Sequence, residues 1–470
     1  MLSNRPILNL RFLIPTALSI AALTNSIIYS SHIEYFQSPR GDFFVPEHLK
    51  KVNADVINNS QYNKFWTQKH STFNHGSKTG FDKGKAEKIL KKINDYTFKL
   101  AMPCDSGTGW ILDYALPKGT EKYPKKWFIA TNAHVASRFR FTSNPYQQEL
   151  PIPEANTKAL RDYYRDKEII LDLRTTTVCS LSQRYGYSEL GLWKDSHTKD
   201  NFETVKDAKL FYAPINFLGS RYSARGYAWR RDNYYKDFAV IEVDFESEDQ
   251  AKRITDDFYN KYPVDPKGNQ DKEALNFFDK ELMQKDSLTD KPYYIAGYPV
   301  NGNLDVSLKN NFEDKSIHST VAVMPHEAVA IKNAHGESII GHVDAGKIDK
   351  RYKNTTTYWN GKHYYSWGYN YLLNNVTMGG GASGSLVVDE DGNVLGLYRM
   401  HDSANNFGFA EPLRSEGIYV NNKIVVPKYD LINGSPGQTS SYKDQLKRYY
   451  PQLETFLTKK WDSQATKSQR

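Results

Sequence analysis

The 470 residues leave room for about three average domains, or for one large fold carrying long insertions. Hydrophobic residues make up 39% of the chain and aromatic ones 14%, a globular composition in which Tyr and Phe should build much of the core. The formal net charge of +8 comes from 62 basic and 54 acidic side chains with no dense Lys/Arg stripe beside stacking aromatics, which argues against nucleic-acid binding.

In chain order, Arg5 and Arg11 precede "FLIPTALSIAALTNSIIYSS", a mostly apolar run interrupted by Thr16, Thr24 and Asn25. At about twenty residues it is long enough to cross a bilayer. Its basic flank should stay in the cytoplasm and the bulk of the chain should lie outside, either anchored by residues 1–31 as a single span or secreted after their removal. No clean small-x-small cleavage site is present, which favours the anchor, and no cysteine precedes Cys104 to carry a lipid. Cys104 and Cys179 permit one disulfide at most, and two free structural thiols are the preferred reading. Residues 32–84 are polar, without a sustained period, and read as a tether.

From Lys85 the apolar residues Ile89, Ile93, Tyr96 and Leu100 fall at helical intervals, and then Phe98, Leu100 and Met102 alternate as in a strand. The segments "TGWILDY", "KKWFIATNAHV", "KEIILDLRTTTV", "KLFYAPINF", "DFAVIEVDF", "PYYIAGYPV", "GSLVV", "NVLGLYRM" and "FGFAEP" follow. Each is short, β-branched or aromatic, and bounded by turn residues, so the fold is predicted to be mainly antiparallel β. Two polar stretches interrupt it and read as surface insertions. One, about 247–290, has helical spacing in "DQAKRITDDFYNKY" and "ALNFFDKELMQK"; the other, about 301–370, looks irregular. These patterns divide a domain over 85–430 into a first β unit (about 97–246), the helical insertion, and a second β unit (about 291–425), with a helical C-terminal segment over 431–470.

Three side chains stand out at strand ends. His134 follows the strand "WFIAT" with Val135 and Ala136 opening a short helix, Asp237 precedes the strand "FAVIEV", and Ser383 sits in the turn Gly381-Ala382-Ser383-Gly384-Ser385. Taken singly, each has a plain structural reading: a half-buried histidine, a strand-initiating acid, a glycine-rich hairpin. Together they match what nucleophilic catalysis requires. A serine hydroxyl needs a base as it attacks, imidazole supplies one, and a buried carboxylate fixes the tautomer and stabilises the transient imidazolium. The glycines then have a reason as well, because small residues let the N–H groups of Gly381 and Ser383 face one oxyanion. The order His, Asp, Ser excludes the α/β-hydrolase arrangement, in which the serine comes first on a parallel sheet.

With "ATNAHV", "DFAVIEV" and "GASGSLV" the chain resembles the chymotrypsin-like serine proteases. More narrowly, "SGTGWILDY", "KYPKKWFIATNAHVA", "IAGYP" and "GGGASGSLVVDEDGNVLGLY" are similar to the mycoplasma immunoglobulin protease family of surface peptidases, over roughly residues 85–425. The resemblance implies a chymotrypsin-like double β-barrel with His134, Asp237 and Ser383 as the triad, Gly381 and Ser383 as the oxyanion hole, and no metal or organic cofactor. It places Thr377 at the base of the substrate pocket and Tyr398 and Arg399 along one wall. It implies a protein substrate, host immunoglobulin G cleaved with a companion immunoglobulin-binding protein. The rival is a surface binding or adhesion protein whose protease-like cleft no longer turns over.

Overall fold

The computed structural model describes residues 83–102, 105–139, 141–151, 190–194, 203–205, 207–218, 234–265, 274–278, 293–299, 309–310, 321–325, 356–360, 362–366, 369–374, 378–402, 407–415, 418–420, 423–426 and 428–461. Residues 1–31, the tether up to 82, "KEIILDLRTTTV", both cysteines and Thr377 lie outside these. Among the described residues no helix is long and apolar enough to cross a membrane.

Helix α1 (Lys83–Tyr96) buries Ile89, Leu90, Ile93 and Tyr96, which fall on one face of a 3.6-residue period. It runs directly into β1 (Thr97–Met102), followed by β2 (Asp105–Tyr114), β3 (Lys126–Thr131), the short helix α2 (Ala133–Ala136), β4 (Leu190–Trp193), β5 (Glu203–Val205), β6 (Lys209–Tyr212), β7 (Tyr234–Tyr235) and β8 (Ala239–Asp244). Six of these strands and β1 form an antiparallel sheet in the order β5-β4-β1-β2-β3-β8-β6, with β7 left out. Strand β3 is buried from Trp127 to Thr131, because both of its faces are covered. Successive side chains point to opposite faces of a strand. Trp127 therefore meets Phe258 at 6.1 Å on one side, while Phe128 meets Tyr442 of the C-terminal segment at 5.6 Å on the other. That double cover explains why "WFIA" is a continuous apolar run rather than an alternating one.

The insertion after β8 supplies α3 (Glu248–Ile254), capped by the Ser247 side chain accepting from Gln250 N–H, and α4 (Phe258–Lys261). Ala274–Phe278, where the spacing predicts helix, instead bends around a single parallel bridge: Asn276 N–H donates to Gly392 O (2.9 Å) and Asn276 O accepts from Val394 N–H (2.8 Å). That pairing turns Phe277 onto Trp110, stacked at 5.3 Å, and the gain from a buried aromatic contact outweighs a weak helical pattern.

A second antiparallel sheet has the order β10-β9-β15-β16-β17-β14-β11, built from β9 (Tyr293–Gly297), β10 (Lys309–Asn310), β11 (Val321–Pro325), β14 (Tyr369–Asn374), β15 (Leu386–Asp389), β16 (Val394–Asp402) and β17 (Phe407–Pro412). Two further strands, β12 (Thr356–Trp359) and β13 (Lys362–Ser366), join β7 in a small third sheet. The stretch 301–370 is thus not simply irregular. Its strands are short and flanked by polar residues, so alternation never runs long enough to register in the sequence.

Over the first sheet pack α5 (Tyr442–Tyr449), capped by Ser441, and the helical residues 456–461. Apolar residues from both large sheets and from the C-terminal segment belong to one contiguous core. The architecture is mainly β, with two antiparallel sheets in a chymotrypsin-like arrangement and partly helical insertions.

Candidate active site

Strand β3 ends at Thr131, and Asn132, extended at φ −73° and ψ 148°, starts α2, which carries His134 on its exposed side. The β3–β8 register pairs Thr131 with Ala239, which brings Asp237, just ahead of β8, against that turn. Asp237 is fully buried. Its Oδ1 accepts the backbone N–H of His134 at 2.9 Å, and its Oδ2 lies 2.7 Å from His134 Nδ1. Asn132 Nδ2 donates to the Asp237 carbonyl at 2.7 Å.

Burial by itself raises a carboxyl pKa, but the charges of protonated His134 and of Arg399, with the His134 hydrogen bonds, outweigh it and hold Asp237 below the usual carboxylate range. An ionised Asp237 only accepts, so the proton of the neutral ring sits on Nδ1 and the lone pair on Nε2.

The serine turn is held mostly by backbone contacts. Gly384 N–H donates to Tyr398 O (2.8 Å) and Tyr398 N–H to Ser385 O (2.7 Å), fastening the turn to β16. From the other sheet, Thr108 of β2 gives its N–H to Ser383 O (2.8 Å) and its hydroxyl to Gly381 O (2.9 Å), and accepts from Tyr298 N–H (3.0 Å). Gly384 is glycine of necessity: at φ +98°, a Cβ would lie 1.9 Å from Thr108 O. Gly381 also has a positive φ, 93°. Among the described residues, no hydrogen-bond acceptor meets the N–H of Gly381 or of Ser383. Ser383 Oγ donates to the Arg399 carbonyl at 3.0 Å. A hydroxyl has one proton, so while Arg399 receives it the imidazole does not.

Tyr398 is buried, its hydroxyl accepting from Met378 N–H (2.9 Å) and donating to Met378 O (3.2 Å), and burial pushes its pKa up. Arg399 is 3% exposed. The β16–β17 register slips between Tyr398 and Met400, and a bulge of this kind re-aims a side chain. Arg399 Nε lies 3.1 Å from Asp237 Oδ2, Nη1 lies 3.4 Å from Glu411 Oε2, and Nη2 donates to Tyr235 Oη at 3.0 Å. Glu411, itself fully buried, is ion-paired with buried Lys236 and accepts from Asp237 N–H at 3.3 Å. The sequence reading did not single out Lys236, Glu411, Tyr235 or Thr108. The signal available for the charged pair was a lone acid in "FGFAEP" and a lone lysine ahead of "DFAVIEV", each a charge inside an apolar run.

Two antiparallel sheets, with a histidine locked to a buried acid on one and a glycine–serine turn on the other, define a protease-like protein of chymotrypsin-like fold. The sequence pattern of the mycoplasma immunoglobulin protease family matches residues 87–400, and the chain belongs to that family. Relatives include an uncharacterized lipoprotein of Mycoplasma capricolum subsp. capricolum, 25% identical over 455 residues and covering 78% of this chain and 68% of that protein. An uncharacterized lipoprotein of Mycoplasma genitalium is 24% identical over 432 residues, covering 78% of each chain. A membrane-associated lipoprotein of Ureaplasma parvum serovar 3 is 25% identical, covering 73% of this chain and 48% of that one. Among solved structures, the mycoplasma MIB and MIP proteins align with a TM-score of 0.42 and 16% identity over 75% of this chain; the chain spans 59% of that solved chain. A Glu endopeptidase aligns with a TM-score of 0.27 and 13% identity, covering 69% of this chain and 86% of that one.

Proposed function

We propose that the chain is a surface serine endopeptidase in which Ser383 is the nucleophile, His134 the general base and acid, and Asp237 the orienting carboxylate. The observation that carries this reading is the seating of His134 on both oxygens of buried Asp237, through its backbone N–H and Nδ1. Rotation of the Ser383 side chain away from the Arg399 carbonyl would release its Oγ proton for transfer to His134 Nε2. As Oγ attacks the scissile carbonyl, its proton passes to Nε2, and the oxyanion is met by the N–H groups of Gly381 and Ser383. His134 then gives that proton to the leaving amine, and water hydrolyses the acyl-enzyme by the same path in reverse. Loss of one oxyanion donor typically costs on the order of 10²–10³ in turnover. Thr377 would form the base of the substrate pocket and Tyr398 its back wall.

An immunoglobulin as substrate is supported by the family's description, and its being immunoglobulin G, cut with a companion immunoglobulin-binding protein, by the resemblance set out above. Residues 85–430 would be the protease domain, carried outside the cell on residues 32–84, with residues 1–31 as the anchor or signal. The lipoprotein and membrane-associated relatives support the surface placement. The Ser383–Arg399 hydrogen bond favours a second reading, a binding protein with an idle cleft. Incubation with immunoglobulin G, with and without the companion, separates the two. The protease reading expects fragments from wild type and none from Ser383→Ala. Equal binding without cleavage by both proteins would establish the binding reading in its place.

A further inference from the structure

Behind the candidate site lies a buried charge cluster that the proposed chemistry does not by itself require. Asp237, Arg399, Glu411 and Lys236 are each at most 3% exposed and lie in one connected set of contacts, with Tyr235 on the outer amine of Arg399. Their two anions and two cations leave the cluster neutral while the imidazole is uncharged. Protonating His134 therefore places an unbalanced positive charge beside a buried cluster, where unit charges interact far more strongly than in water.

Arg399 touches both ends of the arrangement. Its Nε lies on the same Asp237 Oδ2 that His134 Nδ1 uses, 3.1 Å and 2.7 Å away respectively, and its carbonyl accepts from Ser383 Oγ at 3.0 Å. A guanidinium is planar and permanently charged, and here its three nitrogens reach three different groups, so its orientation is fixed.

We propose that Arg399 is a positioning residue that, with Glu411 and Lys236 behind it, sets the strength with which Asp237 favours the charged form of His134, and so sets the pH at which this base is available. The proposal deepens the protease reading and rests on His134 being the base. Arg399 competes with the imidazolium for one carboxylate oxygen and repels it, so His134 should shed its proton at a lower pH than it would beside Asp237 alone. Glu411 pulls the opposite way, and Lys236 moderates Glu411. Asp237 meets the ring directly, and Arg399, Glu411, Lys236 and Tyr235 act through Asp237. Burial raises Asp237 and the cationic neighbours more than offset it, which agrees with this arrangement without being needed for it.

The test needs no turnover. The His134 ring titration is followed by NMR in the full chain carrying Ser383→Ala, so failure of the protease reading leaves the measurement intact. Arg399→Met should move the midpoint up by about one pH unit or more, Glu411→Gln should move it down by a comparable amount, and the two together should bring it back near the starting value. A packing role alone would lower stability without that reversal of sign. If Arg399→Met fails to fold, Glu411→Gln and the charge-balanced pair still decide. A midpoint unmoved by Glu411→Gln, or moved upward by it, would overturn the proposal, as would a pair that stays displaced. In active protein, the acidic limb of the kcat/KM profile should follow the same signs; a silent protein with the expected midpoints would sink the protease reading and leave the coupling standing.

Discussion

Asp113 and Asp237 are both fully buried in or beside the first sheet, yet their surroundings drive them in opposite directions. Asp113 Oδ1 accepts from Tyr114 N–H (2.9 Å) and Leu457 N–H (3.0 Å), and its Oδ2 from the Tyr442 hydroxyl (2.9 Å). All these donors are neutral. Burial, only partly offset by hydrogen bonds from Thr455, Leu457, Tyr442 and Tyr114, leaves Asp113 raised to about 7. Asp237 faces an imidazole and a guanidinium and is held below the ordinary value. Burial disfavours charge in both cases, and only charged neighbours reverse the outcome. One acid fastens the C-terminal segment to the sheet; the other is kept ionised beside a base.

The largest expected effect tests that division directly. Asp237→Asn should lower turnover by about 10⁴-fold, because the amide favours the wrong imidazole tautomer. Asp113→Asn should leave turnover at neutral pH within a few-fold. Steady-state kinetics on a peptide substrate would measure both, and comparable losses from the two would erase the distinction. His134→Ala and Ser383→Ala should each cost several orders of magnitude, and the double variant should be no worse than either, because the two act as a unit.

Stability should part the two acids by sign. The folded value of Asp113 lies above its ordinary one, so its contribution is full below about pH 4 and is lost as pH rises through about 7. Asp237 is depressed in the fold, so its contribution is present above the ordinary carboxylate range and is lost as pH falls through its lower value. Urea midpoints at about pH 5 and about pH 8 should therefore differ less in Asp113→Asn than in wild type, with the fall towards high pH flattened. An unchanged slope would show that Asp113 is ionised throughout.

A smaller effect concerns the strut between the sheets. Thr108→Val removes the hydroxyl that bridges Gly381 O and Tyr298 N–H, leaving a buried donor and acceptor unpaired. A loss of about 1–3 kcal/mol is expected, with slower acylation at Ser383. Smallest is Tyr442→Phe, which removes one hydrogen bond to Asp113 and should cost about 1 kcal/mol without altering activity. Equilibrium unfolding checks both.

Much of this was legible from local pattern. Short β-branched or aromatic runs bounded by turn residues marked β2, β3, β8, β9, β15, β16 and β17, and each sits in one of the two large sheets. His134 and Asp237 stood at strand ends, and the structure joins them through two hydrogen bonds. The glycines before Ser383 were readable as a tight turn, although the glycine of that turn pressed against Thr108 of the other sheet is Gly384, after the serine. What local pattern could not carry was any feature set by pairing between distant segments. Arg399 was legible only as a candidate wall of the substrate pocket, and its contact with Asp237 depends on the bulge against β17. Glu411 and Lys236 lie 175 residues apart in number and become partners only through the fold. Ala274–Phe278 had helical spacing, but pairing with Asn393 and stacking on Trp110 decided its conformation.

The central claim is that Ser383 is a nucleophile activated by His134, and labelling with a fluorophosphonate followed by intact-mass analysis tests it most directly. The account predicts a single adduct at Ser383 in wild type, formed faster as pH rises through the His134 titration and absent from Ser383→Ala and His134→Ala. No adduct on the folded wild-type chain, or one that persists in Ser383→Ala, would contradict it.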